Sequence, residues 1–200
     1  MFRAVGIEKS FRSKRVLDGA NLTVSAGESV ALVGENGAGK STFMNIGAGV
    51  LRPDGGTIEI DAPLGWCPQE PGLVDLLNAE EHLRLFASGT SDPRAARSRT
   101  TDVLERLGFD LDDKTISRDL SGGQRQKLNL ALTMVNDPRI LLLDEPYQGF
   151  DRGTYVNLWD QIDLWTEEGR SVILITHLLA ERSRVSRLVE VGDGVITEVQ

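Results

Sequence analysis

The chain of 200 residues predicts an α/β fold. It has a mainly parallel sheet, an antiparallel β part near the N-terminal end and a helical subdomain inserted between two halves of the core. Three observations predict it. Ile140–Leu143 and Ser171–Ile175 are short unbroken apolar runs, the pattern of strands covered on both faces of a parallel sheet. Between them Tyr155, Leu158, Trp159, Ile162 and Trp165 recur at helical spacing, which makes a strand–helix–strand unit. Residues from Asn78 to Val135 are helical in pattern and separate this unit from a β-rich beginning. The expected organisation is a single domain over 1–200. Residues 1–74 and 137–200 form its core, and about 75–136 form the helical subdomain. That length suits one domain with a sizeable core.

In chain order, Phe2–Glu8, Val16–Val24 and Ser29–Val33 read as strands set apart by turn signals such as Ala26-Gly27-Glu28. The segment STFMNIGAGV has helical spacing at Phe43, Met44 and Ile46, and Thr57–Ile60 is a strand after the turn Pro53-Asp54-Gly55-Gly56. A strand at LGWC delivers Gln69 to its end. Leu83, Leu85 and Phe86, then Val103, Leu104 and Leu107, trace two helices broken at Ser91-Asp92-Pro93. A further helix carries Leu128, Leu130, Ala131, Leu132 and Val135 and stops at Asn136-Asp137-Pro138. GVITEVQ is a last strand.

Composition narrows the function. The net charge of −8 argues against a polyanion-binding surface, so no nucleic-acid partner is expected. One cysteine, Cys67, excludes a disulfide framework, and with only His82 and His177 beside it a zinc site is not expected. No apolar run approaches the roughly 20 residues that span a bilayer, and MFRAVGIEKS lacks the apolar core of a signal peptide. The expected location is cytoplasmic, with any membrane role exercised through a partner.

Three motifs carry the chemistry. GENGAGKS, residues 34–41, follows a strand, opens a helix and fits G-x-x-x-x-G-K-[ST]. Its glycines let backbone N–H groups wrap phosphate, Lys40 reaches the outer phosphates and the Ser41 hydroxyl can ligate Mg²⁺. ILLLDEP, residues 140–146, delivers Asp144 to the carboxyl edge of the sheet, where such proteins hold the metal. Glu145 beside it is placed to accept a proton from attacking water. Together they imply nucleoside triphosphate hydrolysis. LSGGQRQK, residues 120–127, is a helix start with Ser121 as cap. Two adjacent glycines are a costly way to begin a helix, and the cost makes sense where backbone must approach an anion. Two anion sites in one chain fit a nucleotide sandwiched between two copies.

These motifs in this order, with Gln69 before a helical insert and His177 after the next strand, resemble the ATP-binding-cassette (ABC) ATPases over essentially the whole chain. LSGGQ is that family's own signature. The resemblance implies a P-loop NTPase (RecA-like) core, ATP and Mg²⁺ as cofactors, and a head-to-tail dimer of cassettes. Gly34, Glu35, Asn36, Gly37, Ala38, Gly39, Lys40, Ser41 and Thr42 resemble the Walker A loop, and Asp144 the Walker B aspartate. Ser41, Gln69 and Asp144 are then the metal ligands. Glu145 is the general base, with Lys40, Gln69 and His177 completing the catalytic set. Ser121, Gly122, Gly123 and Gln124 resemble the signature that caps ATP in the opposite subunit, and Asp151 the D-loop aspartate. Phe11 falls where the family stacks an aromatic ring on adenine, a contact of about 1–3 kcal/mol if nucleic-acid stacking is a guide. Val16 is assigned to the same pocket.

Tyr147-Gln148-Gly149-Phe150 departs from the family pattern, which more often has a small hydroxyl residue first. Tyr147 and Phe150 are bulky for a stretch expected to lie against the dimer partner. The leading expectation is the ATP-hydrolysing subunit of an ABC transporter of the bacterial exporter kind, peripheral on the inner face of the membrane. It would power a separate permease whose helix docks beside Gln69 near Trp66, Leu73 and Leu77. The alternative is a soluble single-cassette ATPase in an assembly process such as iron–sulfur cluster biogenesis. A nucleotide-binding module without turnover conflicts with Lys40, Asp144, Glu145 and His177 together.

Overall fold

The computed structural model describes residues 1–176 and 179–199. Two sheets organise it. Strands β1 (Phe2–Phe11), β2 (Lys14–Val24) and β4 (Gly55–Ile60) form an antiparallel sheet in the order β2-β1-β4. The larger sheet runs β5-β6-β7-β3-β8-β9. It comprises β3 (Ser29–Val33), β5 (Leu64–Cys67), β6 (Ile140–Asp144), β7 (Ser171–Ile175), β8 (Arg187–Gly192) and β9 (Val195–Glu198). Its pairings are parallel except β8 with β9.

Burial explains the unbroken apolar runs. Ile140 and Leu142 of β6, with Ile173 and Ile175 of β7, face a core shared with the antiparallel sheet and α1 (Lys40–Gly47). Leu141, Leu143, Val172 and Leu174 face the other way, against α4 (Gly122–Leu132) and α5 (Arg152–Glu167). Each strand residue therefore has an apolar partner layer, and all ten residues of β6 and β7 are buried. Between Cys67 and Asp144 lie α2 (Ala79–Ser88), α3 (Pro93–Arg106) and α4, with a 3₁₀ turn at Ser117–Asp119. Asn78 caps α2 in a capping box with Glu81, and Asp92 caps α3 ahead of Pro93. Leu83, Leu104 and Leu128 of these helices belong to the same cluster as β6, β7 and α5, so insert and sheet share one core.

Some boundaries differ from the sequence expectation. The first two strands extend to a tight hairpin, Phe11 paired with Lys14 across Arg12 at φ 55°, because cross-strand pairing carries residues whose own propensity is weak. β8 was not anticipated. RLVEVG is short, and pairing with β3 and β9 makes it a strand. Ile173 is fully buried at the sheet centre. Ile173→Ala is expected to cost about 2–5 kcal/mol of folding stability through lost burial and a residual cavity, measured by denaturant unfolding.

A candidate nucleotide site at the carboxyl edge of the sheet

The parallel register sets the site. Leu32 pairs with Ile175, Asp144 pairs with Ile175, and Leu143 pairs with Cys67, so β3, β7, β6 and β5 end level with one another. The segments leaving those ends carry Gly34, Asp144 and Gln69 to one edge. His177 follows β7 by two positions and lies outside the described residues.

The loop after β3 turns at Gly34, whose φ is 138°. A Cβ there would stand 2.3 Å from the Val191 carbonyl oxygen of β8, so only glycine fits. Gly39 caps α1 in a left-handed conformation at φ 109°, which aims the first N–H groups of the helix into the loop. The Lys40 side chain is buried back along the loop, and Nζ donates to the carbonyls of Gly34 at 2.8 Å and Glu35 at 2.9 Å. Two of its three hydrogens are thereby fixed, and the ammonium stands over the loop.

A cavity of about 570 Å³ opens beside this loop. Asn36, Gly37, Gly39, Lys40, Ser41 and Thr42 form its floor, Phe11 and Val16 one side, and Gln69 and Glu145 the other. Phe11 is about half exposed, with the Lys9 ammonium 5.7 Å from its ring centroid. Glu35 is exposed and Ala38 half-buried, and both lie in the loop backbone rather than in the cavity wall.

Asp144 ends β6 and is 2% exposed. Glu145 follows at φ 48°, a left-handed conformation that costs a non-glycine residue of order 1 kcal/mol or more. The strain turns the chain sharply, and Gln69 Nε2 then reaches Glu145 Oε2 at 3.2 Å. Because the Gln69 amide nitrogen points at Glu145, its carbonyl oxygen is the atom available to a cation. Gln148 Nε2 donates to the same Oε2 at 2.7 Å. Sequence reasoning missed Gln148. Its only signal was an amide three residues beyond a candidate base.

The residues fit the expected cofactors. A glycine-built cradle, a buried ammonium and a helix start suit a triphosphate, while hard oxygens from Ser41, Gln69 and Asp144 suit Mg²⁺, which relies on phosphate and water for the rest of its shell. Cys67 sits behind this edge. Burial, and then the Asp144 carboxylate, push its thiol pKa far up, so it is a neutral packing group rather than a nucleophile.

Ser121, Gly122, Gly123, Gln124 and Asp151 do not line this cavity. Ser121 caps α4 by accepting from the Gln124 amide at 3.2 Å, and Gln124 Oε1 accepts from the Ser121 amide at 2.9 Å. The two glycines differ in kind. A Cβ on Gly123 would meet the Gly149 carbonyl oxygen at 2.3 Å, whereas a Cβ on Gly122 meets nothing within 4 Å among the described residues. Asp151 caps α5, and the Thr154 amide bonded to it holds its carboxyl below the ordinary aspartate value. Tyr147 and Phe150 turn inward, packed on the larger core, with Tyr147 edge-on to Tyr155 at 5.7 Å. Part of the bulk that departs from the family pattern thus rests on the protein's own core, and both side chains remain half-buried.

Fold and site thus define an α/β nucleotide-binding protein with its phosphate loop on the central strand of the sheet. The model of the ABC transporter family matches residues 17–148, and the chain belongs to that family as an ATP-binding cassette. It is 34% identical over 205 residues to the daunorubicin resistance ATP-binding protein DrrA3 of Streptomyces coeruleorubidus, covering 94% of this chain and 64% of that protein. Identity is also 34% over 204 residues to the aliphatic sulfonates import ATP-binding protein SsuB 1 of Mesorhizobium japonicum, covering 98% and 77%. Among solved structures, the dimeric bacterial ABC transporter cassette MJ0796 superposes with a TM-score of 0.88 at 25% identity, over 100% of this chain and 99% of that one.

The contrast between the two glycines is testable. Gly123→Ala is expected to lower the thermal midpoint, since backbone must move to admit a methyl. Gly122→Ala is expected to leave it unchanged or raised, by thermal denaturation of the two variants side by side.

Proposed function

We propose that the chain binds Mg²⁺–ATP and hydrolyses it to ADP and phosphate as the ATPase subunit of an ABC transporter, two cassettes closing head to tail on the nucleotide. The observation that carries hydrolysis is the Gln69–Glu145–Gln148 arrangement beside the phosphate cradle. It holds a carboxylate by one oxygen next to a candidate metal ligand. Magnesium, when bound, neutralises charge on the phosphate oxygens. Lys40 steadies the outer phosphates, Glu145 takes the proton of the attacking water, and Gln69 aligns both. His177 is assigned the γ-phosphate contact at the end of β7.

The open position at Gly122 supports the second half of the proposal. Among the described residues outside its own helix turn, none would stand within 4 Å of a Cβ there. Such a position suits close approach by something outside the chain, and a helix N-terminus capped by Ser121 suits phosphate. Asp151, exposed beside the same region, is assigned to the contact between cassettes. The dimeric solved cassette supports this arrangement.

A separate permease is the proposed membrane partner, which would make the cassette peripheral on the inner face of the membrane. No described helix is long and apolar enough to cross a membrane. A groove of about 180 Å³ beside the Gln69 loop, lined by Trp66, Leu73, Phe86 and Leu132, fits an apolar helix. Leu77 lies outside that groove and Phe86, 40% exposed, takes its place among the candidate contacts.

Glu145→Gln is expected to retain ATP binding, abolish phosphate release and accumulate an ATP-bound dimer on gel filtration. A variant that still turns over would remove Glu145 from the base position. Lys40→Ala and Ser121→Arg are each expected to be inactive alone and to recover part of the activity when mixed. An inactive mixture, with both proteins folded, counts against a shared site.

A further inference from the structure

Helix α4 carries more than the signature at its start. Two turns further on, Asn129 is only 7% exposed, among Leu128 and Leu130 that are fully buried. Its Nδ2 donates to the Pro68 carbonyl oxygen at 2.9 Å and approaches Cys67 Sγ at 3.2 Å and Gln126 Oε1 at 3.4 Å. The Pro68 oxygen only accepts, so the amide nitrogen must be the atom that faces it. Asparagine is a poor helix former, and a buried amide costs stability unless bonded, so an apolar side chain would serve packing better here. The bond to Pro68 is the compensating feature.

Its position gives it consequence. β5 ends at Cys67, and Pro68 has no N–H with which to extend the ladder. The next residue is Gln69, whose amide contacts Glu145. A continuous path therefore runs from the signature helix through Asn129, Pro68 and Gln69 to the proposed base. Asn129 and Pro68 also line the groove beside Trp66 and Leu73.

We infer that Asn129 is a positioning residue that sets the place of Gln69 from the signature helix and ties movement of that helix to the Glu145 carboxylate. This rests on the catalytic role given to Gln69 above. Asn129 is not among the residues lining the nucleotide cavity; it acts through the loop.

The test is a double-mutant cycle in the full chain, with kcat and KM for Mg²⁺–ATP and nucleotide affinity without turnover. Asn129→Leu keeps the volume and removes the donor. Alone it is expected to lower kcat roughly five- to tenfold, the worth of about one hydrogen bond, with ATP affinity unchanged. In a Gln69→Ala background it is expected to lower kcat no further, because its effect passes through the residue already removed. A purely structural role would multiply the two losses or weaken ATP binding in parallel, and either result overturns the inference. Unchanged kcat in Asn129→Leu, beside a clear loss in Gln69→Ala, overturns it alone. Unchanged kcat in Gln69→Ala overturns the role of Gln69 as well. Should Asn129→Leu fail to fold by circular dichroism, Asn129→Ala carries the same cycle.

Discussion

The constraint on which the rest depends is the parallel register of four strands buried on both faces. Pairing of β3 with β7, β7 with β6 and β6 with β5 leaves no freedom to slide, because a one-residue slip would turn every side chain of that strand to the opposite layer. In β6 such a slip would exchange Ile140 and Leu142, which pack toward α1, with Leu141 and Leu143, which pack toward α4. The strand ends are therefore level, and segments as far apart in sequence as residues 34, 69 and 144 meet at one edge. Polar function is positioned here by apolar packing.

At that edge the chain gives up local comfort. Gly34, Gly39 and Glu145 all take positive φ, and Glu145 does so with a side chain. The core beneath is what holds these conformations. Two amides converge on one carboxylate oxygen, so the orientation of Glu145 is set from both sides, by the loop after β5 and by its own turn. Arg170 performs a comparable structural task at the opposite end of the strands. It pairs with Asp137 at 2.8 Å and Glu168 at 3.1 Å and bonds the Pro138 carbonyl, which holds the turns before β6 and β7 together.

What the sequence disclosed follows from the range of the interactions involved. The glycine loop before α1, the strand that ends at Asp144 and the helix start capped by Ser121 were legible because each depends on residues adjacent in the chain, where spacing alone constrains backbone shape. Buried strands were legible from unbroken apolar runs. β8 was not, because RLVEVG becomes a strand only through β3 and β9. Gln148 and Asn129 were also hidden. A glutamine in a turn and an asparagine in a helix are ordinary in sequence, and their meaning lies in acceptors that the fold supplies. Tyr147 and Phe150 are both half-buried against the larger core, a packing partner the sequence does not show.

The two glycines of the signature separate what one chain needs from what it offers. Gly123 and Gly149 pack backbone to backbone, each excluding a Cβ on the other, so the signature helix is seated directly on the turn that follows Glu145. Gly122, one residue earlier, borders open space. Asn129, on the inner side of the same helix, reaches the loop of Gln69. One end of α4 thus faces outward, while two separate points along it hold the loop of Gln69 and the turn that follows Glu145. The exposed start of α4 and the two segments beside Glu145 are thus joined by contacts within the same chain.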